Sequence, residues 1–414
     1  MGSIGESMRV AKEPNIHLYA EHLLNIRTLS IQASLATQSN NETKATLSTD
    51  GSKLMLTHGG ETASIELPIR IPEGHNDATL AIPAAPSNEL SFRLKVQENP
   101  GSGLLGEVSS DRGYVIPWMA SDLTSATEIS CAGCETVLIT RGTISQWKDL
   151  PSEGWAEMMD FWHCHKPDVP HSHGGNGDVG RGISANSRLA IEQGVGLVGP
   201  MDLLFARGDC SSLQTQQTDT PSGTSNSLLC PKCNAYVGLY DHATQGYRLR
   251  KPHLAVSPSP SVPPASYESE RWLACHLLNA AESQGVRKLS VWAADGDEPG
   301  KPVLTMQVWL FATDLTISSS VTKTPEPVSV VKVLYREIRG SPENADKGGM
   351  PAAGKLSAAA LAESEVELEM KEWTALRGTL DVSGVLLPPK ARKFQDWEVG
   401  LLRRFTVSDL HQGA

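Results

Sequence analysis

The chain has 414 residues, 39% hydrophobic and 20% charged, so it can bury substantial cores and is not disordered by composition. That length allows roughly two to four domains. The net charge of −11, with no compact Lys/Arg cluster and no basic residues interleaved with aromatics, argues against nucleic-acid binding as the main activity. No apolar run approaches the roughly 18 residues of a bilayer span. Glu6 stands where a myristoylation signal needs Ser or Thr. The expectation is a soluble, unanchored protein with no direct nucleic-acid or membrane partner.

Residues from about 15 to 115 carry short alternating segments: His17-Leu18-Tyr19-Ala20, Lys53-Leu54-Met55-Leu56, Ala63-Ser64-Ile65-Glu66-Leu67 and Ser91-Phe92-Arg93-Leu94-Lys95-Val96. Asp50-Gly51, Gly59-Gly60 and Asn99-Pro100-Gly101 punctuate them as hairpin turns do, which predicts an antiparallel β domain over residues 1–120. His58-Gly59-Gly60 is most economically a turn. Residues 121–256 change character, with cysteine pairs, a His-rich tract and a Gly-rich loop in place of plain alternation. Within them Ser211 to Ser227 is almost wholly polar, which predicts a mobile insertion.

The run Ser257-Pro258-Ser259-Pro260-Ser261-Val262-Pro263-Pro264 predicts a stiff linker over 257–266. Beyond it, Leu273, Ala274, Leu277, Leu278 and Ala281 recur at the spacing of one helical face. Strand-like runs follow at Lys288 to Ala294, Val303 to Phe311 and Val328 to Tyr335, then a helix near Lys371 to Leu380 and a strand near Trp397 to Arg403. Residues 267–414 therefore read as an α+β domain, and the whole chain as an α+β protein built around a central cysteine module.

Seven cysteines without a signal peptide do not resemble a secreted disulfide framework; they predict a reducing compartment, cytoplasmic or nuclear. Four of them form two C-x2-C pairs, Cys131/Cys134 and Cys230/Cys233, each flanked by strand-forming residues. Two intervening residues let the backbone turn so that both thiolates face one ion. Two such knuckles close a tetrahedron, so a zinc ribbon with one structural zinc is predicted. Gly133 and Asn234 are residue types that tolerate the left-handed backbone of such turns. The long span between the pairs is tolerable because loop-closure entropy grows only logarithmically with length.

Between the knuckles lie Leu150-Pro151-Ser152-Glu153-Gly154-Trp155 and Trp162-His163-Cys164-His165, and far beyond them Val331-Lys332-Val333-Leu334-Tyr335. This order of motifs, over most of the chain, resembles the HECT-like ubiquitin-conjugating-enzyme-binding family. The resemblance implies a ubiquitin-protein ligase or ligase-like factor whose partners are a ubiquitin-conjugating enzyme, ubiquitin and a protein substrate. Fungal members are also associated with pre-mRNA cleavage and polyadenylation, which implies the alternative of a non-enzymatic binding or assembly factor for a client protein.

A ligase that carries ubiquitin needs an exposed, acidified thiol. Cys164 is the best candidate, because a cationic His163 or His165 would favour its thiolate and Asp160 or Asp168 could orient one of those rings. Two other roles fit it as well: a ligand, with His165 and His171 or His173, of a second metal site, or a packed residue beside the ribbon. Cys210 has no base near it in sequence, and Cys275 lies outside the apolar stripe of its helix. No cysteine follows Cys275, so the C-terminal acceptor cysteine of HECT ligases has no counterpart by position.

Overall fold

The first strand, β1 (Ile16–Leu23), is buried along almost its whole length. Because successive side chains point to opposite faces, a strand buried throughout must be covered on both. It pairs antiparallel with β2 (Thr28–Leu35). After β2 the chain forms β3 (Lys44–Leu47), β4 (Lys53–His58), β5 (Glu61–Glu66) and β6 (Thr79–Leu80), then returns as β7 (Glu89–Lys95) to pair with β2. Strands β5-β4-β3-β6 form a separate four-stranded sheet. Leu18, Leu29 and Ile31 on one sheet and Leu47, Leu54 and Leu56 on the other belong to one apolar core, a sandwich. Gly59 and Gly60, with φ of 59° and 80°, make the β4–β5 turn, as read from sequence. The His58 ring is buried between Thr37 Oγ1 (2.8 Å) and Thr43 Oγ1 (2.9 Å). The computed structural model describes residues 14–71, 79–96, 114–150, 191–211, 213–220, 223–293, 304–322, 326–338 and 363–411.

The next strands belong to a second compact unit, Ile116–Glu268 with Val407–Ala414. Here β8 (Glu128–Cys131) pairs with β9 (Val137–Ile139), and β10 (Gln146–Asp149) runs parallel to β11 (Val195–Val198). They are followed by β12 (Asp202–Phe205), β13 (Gln214–Thr220), β14 (Gly223–Leu229), β15 (Tyr236–Asp241), β16 (Gly246–Arg250) and β17 (Leu254–Ser257). The sheets are β17-β8-β9 and the seven-stranded β10-β11-β12-β16-β15-β14-β13.

Two expectations are corrected in this unit. The polar run Ser211 to Ser227 is largely strand: β13 and β14 pair in register from Gln214↔Leu229 to Thr220↔Gly223. Ladder hydrogen bonds need no apolar side chains, and an edge hairpin can present Ser, Thr and Gln to water on both faces. The Pro/Ser run is a folded reversal rather than a stiff linker. The Ser257 hydroxyl, buried, lies 2.9 Å from Ser259 O and 2.5 Å from Val262 O, and Val256 and Ala265 exchange backbone hydrogen bonds of 2.9 and 3.0 Å.

Helix α1 (Ser269–Gln284) then leads into β18 (Lys288–Ala293), β19 (Leu304–Ser319), β20 (Val328–Ile338), β21 (Glu363–Glu367), helix α2 (Met370–Ser383), β22 (Lys393–Phe394) and β23 (Trp397–Arg403). The N-terminal half of β19 pairs with β18 and its C-terminal half with β1. The result is a nine-stranded sheet ordered β22-β23-β20-β19-β1-β2-β7, with β18 attached to β19 and β21 to β18. Met1–Val115 and Ser269–Thr406, which make up most of the two stretches expected as separate domains (1–120 and 267–414), are therefore one unit. Alternation reports which residues face a core, but not which strand lies alongside. Helices α1 and α2 pack on this sheet. Gly400 lets α2 approach β23, since a Cβ there would meet Leu380 O at 2.8 Å.

The string Val331-Lys332-Val333-Leu334-Tyr335 lies in the middle of β20. Lys332 pairs with the buried carboxylate of Glu21, which also accepts the Tyr19 hydroxyl at 3.0 Å, and the Tyr335 hydroxyl donates to Asp381 Oδ1 at 2.7 Å. Lys332→Met strands a buried carboxylate, for an expected loss of roughly 3 kcal/mol in chemical denaturation. Adding Glu21→Gln should recover most of it. Equal stability of Lys332→Met and wild type would show that the pair carries nothing.

Candidate metal centre

Cys131 ends β8, and the turn to β9 brings Cys134 back beside it; Cys230 follows β14, and the turn to β15 does the same for Cys233. The two turns are built alike. The N–H after each second cysteine donates to the carbonyl of the first: Glu135 N to Cys131 O at 2.8 Å, and Asn234 N to Cys230 O at 3.0 Å. Both donor residues are left-handed, with φ of 58° and 57°. Asn234 is as expected. In the first knuckle Glu135 occupies that position, and Gly133 does not have a positive φ. Glu135→Gly is accordingly expected to stabilise the unit by about 0.5–1 kcal/mol, read as a higher melting temperature; a lower one would refute the strain.

All four sulfurs lie within 4.8 Å of one another, with Cys131 Sγ 3.7 Å from Cys233 Sγ and Cys134 Sγ 3.5 Å from Cys230 Sγ. Tetrahedral thiolates about 2.3 Å from one ion stand about 3.8 Å apart, so the cluster can hold a metal. Cys131 and Cys230 are buried, at 1% and 0% exposure, while Cys233 faces solvent. Burial pushes the Cys131 thiol up to about 12, and the Thr136 hydroxyl and backbone N–H lower that of Cys134 to about 6. Four thiols this close together are a donor set that a cation replacing their protons would hold. The site is anchored from behind by β17, whose Leu254 is the register partner of Cys131, and by the N–H of Ala132 donating to His253 O at 3.0 Å.

The family model described as HECT-like ubiquitin-conjugating enzyme (E2)-binding matches residues 21–399. The chain belongs to this family. It is 25% identical over 305 residues to an uncharacterized protein of Schizosaccharomyces pombe, covering 70% of this chain and 78% of that one. It is 22% identical over 286 residues to an uncharacterized protein of Saccharomyces cerevisiae, covering 68% and 71%. No solved structure matches.

His163, Cys164 and His165, with Asp160, Asp168, His171 and His173, lie outside the described residues. The chain leaves for that segment at the end of β10 and returns into β11, its neighbour in the seven-stranded sheet. Cys210 is largely buried, and its thiol is pushed up to about 12 by burial and by Asp209, the reverse of an activated nucleophile. Cys275 corrects the expectation for its helix, being 2% exposed among the buried residues of α1. His17 Nε2 lies 3.2 Å from Ser319 Oγ, a pairing invisible in sequence, but it also lies 3.1 Å from the Leu386 carbonyl, to which Ser319 donates at 2.7 Å. An Nε2 facing a carbonyl carries the proton, so this imidazole is not placed as a base for Ser319.

Proposed function

We propose that this protein is a ubiquitin-protein ligase, or a ligase-like factor, that binds a ubiquitin-conjugating enzyme and promotes ubiquitin transfer to a protein substrate in the cytoplasm or nucleus. The observation that carries the reading is the four-thiol cluster in a chain of the E2-binding family, with the Trp162-His163-Cys164-His165 segment inserted between its two knuckles. In this reading the cluster holds one structural zinc, and the site does no chemistry of its own, since four protein thiolates leave no open coordination position.

Cys164 is the proposed nucleophile. Its thiolate attacks the thioester carbonyl that links ubiquitin to the conjugating enzyme's cysteine; the new C–S bond forms as the old one breaks, and that cysteine leaves as a thiolate. His163 or His165 takes the Cys164 proton and returns one to the departing sulfur. A substrate lysine amine then displaces Cys164, exchanging the thioester for an isopeptide bond. The competing role for Cys164, as a ligand of a second zinc with His165, is separated from this one by the variants discussed below.

The test is to incubate the full chain with activating enzyme, ATP, ubiquitin and one conjugating enzyme at a time, and to resolve the products with and without reducing agent. A ubiquitin adduct that reductant removes supports the ligase. A stable stoichiometric complex with a client protein, and no adduct with any conjugating enzyme, would replace it with the assembly factor.

A further inference from the structure

The unit formed by Met1–Val115 and Ser269–Thr406 holds a cavity of about 600 Å³; the thiol cluster belongs to the other unit. That size falls within the roughly 300–1,000 Å³ of small-molecule sites. The walls come from the end of β19, the start of β20, the end of β23, α2 and the turn after it, and the lining is mostly apolar: Ile317, Val328, Val330, Leu386 and Leu401. Four polar side chains in the wall spend their hydrogen bonds on the backbone around it. Ser319 Oγ donates to Leu386 O at 2.7 Å and Thr322 Oγ1 to Ser319 O at 2.8 Å. Ser383 Oγ donates to Leu380 O at 3.1 Å and accepts the Leu401 N–H at 2.8 Å. Glu270, in the first turn of α1, accepts the Arg403 backbone N–H at 2.8 Å and its Nε at 2.9 Å, so that carboxylate and that guanidinium are already matched. Walls satisfied in this way favour an apolar body over a polar one.

Gly378 stands in the interior of α2, where glycine is the least favourable residue apart from proline. Unlike Gly400, it relieves no clash: a Cβ there would meet no atom within 4 Å. What the missing side chain leaves is room in the lining of the cavity. The exposed members of that lining are Glu326, Gly378 and Val382, which mark the mouth. Val382 is 56% exposed, and Val385, three residues on, is 55% exposed. Glu326 adds a carboxylate that the Glu270–Arg403 pair does not compensate, so the lining carries two carboxylates against one guanidinium. The ligand that fits sets an apolar body against Ile317, Val330 and Leu401 and a cation at Glu326. An anion would have to displace Glu270 from Arg403.

We infer that this cavity is a binding site for a small apolar amine, a site beyond the ligase reading and independent of it. The experiment titrates the metal-loaded full chain at neutral pH, by isothermal titration calorimetry, with octylamine, octan-1-ol and octanoate at submicellar concentration. Octylamine is expected to bind saturably, octan-1-ol about threefold more weakly and octanoate weakest, the scale of one exposed charge. Gly378→Leu fills the cavity and is expected to weaken octylamine binding about tenfold or more, the worth of two buried methylenes. Its melting temperature should hold or rise, because leucine favours the helix. Gly378→Ala, which adds only a Cβ to open space, should stay within about twofold of wild type. Glu326→Gln, an exposed change that leaves the packing alone, should bring octylamine and octan-1-ol within about twofold of each other. Met55→Ala, on β4, is the control. Octylamine binding that is absent, unsaturable or unchanged in Gly378→Leu would show that the cavity is not its site and overturn the inference. Octanoate binding as tight as that of octylamine, or a preference for the amine that survives Glu326→Gln, would overturn the amine assignment. Each of these results leaves the proposed function standing.

Discussion

Cys131→Ser is expected to strip the metal from the protein and unfold the unit that contains it. Cys131 and Cys230 are the buried half of the cluster, so a hydroxyl at 131 removes a thiolate from the side that water cannot replace. Metal-coupled folding of such sites is worth on the order of 10 kcal/mol, comparable to the whole stability of a typical domain. The first knuckle belongs to the β17-β8-β9 sheet and the second to the seven-stranded one, so the metal links two sheets whose strands do not pair with each other. Cys233→Ser, at the solvent-facing corner, should weaken metal binding and lower the melting temperature by less. Lowering the pH should also release the metal, because protons compete for thiolates, and a chelator should reproduce the Cys131→Ser melting curve. Elemental analysis and thermal melting on the same preparations decide the matter. Protein purified without chelator that carries no zinc, or a Cys131→Ser variant that melts with wild type, would remove the structural metal from the account.

Cys164→Ser is expected to abolish the reductant-sensitive ubiquitin adduct while leaving zinc content and melting temperature unchanged. An acyl carrier needs only its own sulfur, so its loss eliminates transfer without altering the fold. A metal ligand behaves in the opposite way: its removal sacrifices part of the binding free energy that stabilises the protein, and both stoichiometry and melting temperature fall. Measuring zinc, melting and adduct on Cys164→Ser beside Cys131→Ser therefore separates nucleophile from second metal site. His163→Gln and His165→Gln should each slow adduct formation and move its pH dependence upward, since a thiol without a cationic neighbour needs a higher pH to ionise. Full ubiquitin transfer by Cys164→Ser would rule out Cys164 as the carrier and favour the adaptor.

The sequence by itself determined what depends on local spacing. The two intervening residues of each C-x2-C pair dictate a turn with converging sulfurs, and the thiols of Cys131, Cys134, Cys230 and Cys233 do converge. Gly59-Gly60, the apolar stripe of α1 and the strand Trp397–Arg403 were legible for the same reason: a turn, a helix or a strand is encoded within a few consecutive residues. Period-two spacing also puts Trp309 and Phe311 on one face of β19, yet it cannot say whether that face is inside or out.

Tertiary structure decided everything that depends on residues far apart in the chain. That β1 and β19 are neighbours, joining the two ends into one sheet, follows from strands buried on both faces needing partners on both edges. The polar run beyond Ser211 became a hairpin because backbone pairing with β15, rather than apolar content, sustains it. Lys332, read as part of a family string, proved to be half of a buried ion pair with a glutamate 311 positions away. The left-handed residue of the first knuckle is Glu135 and not Gly133, two positions before it, because the hydrogen bond back to Cys131, not residue type, sets where the backbone must turn.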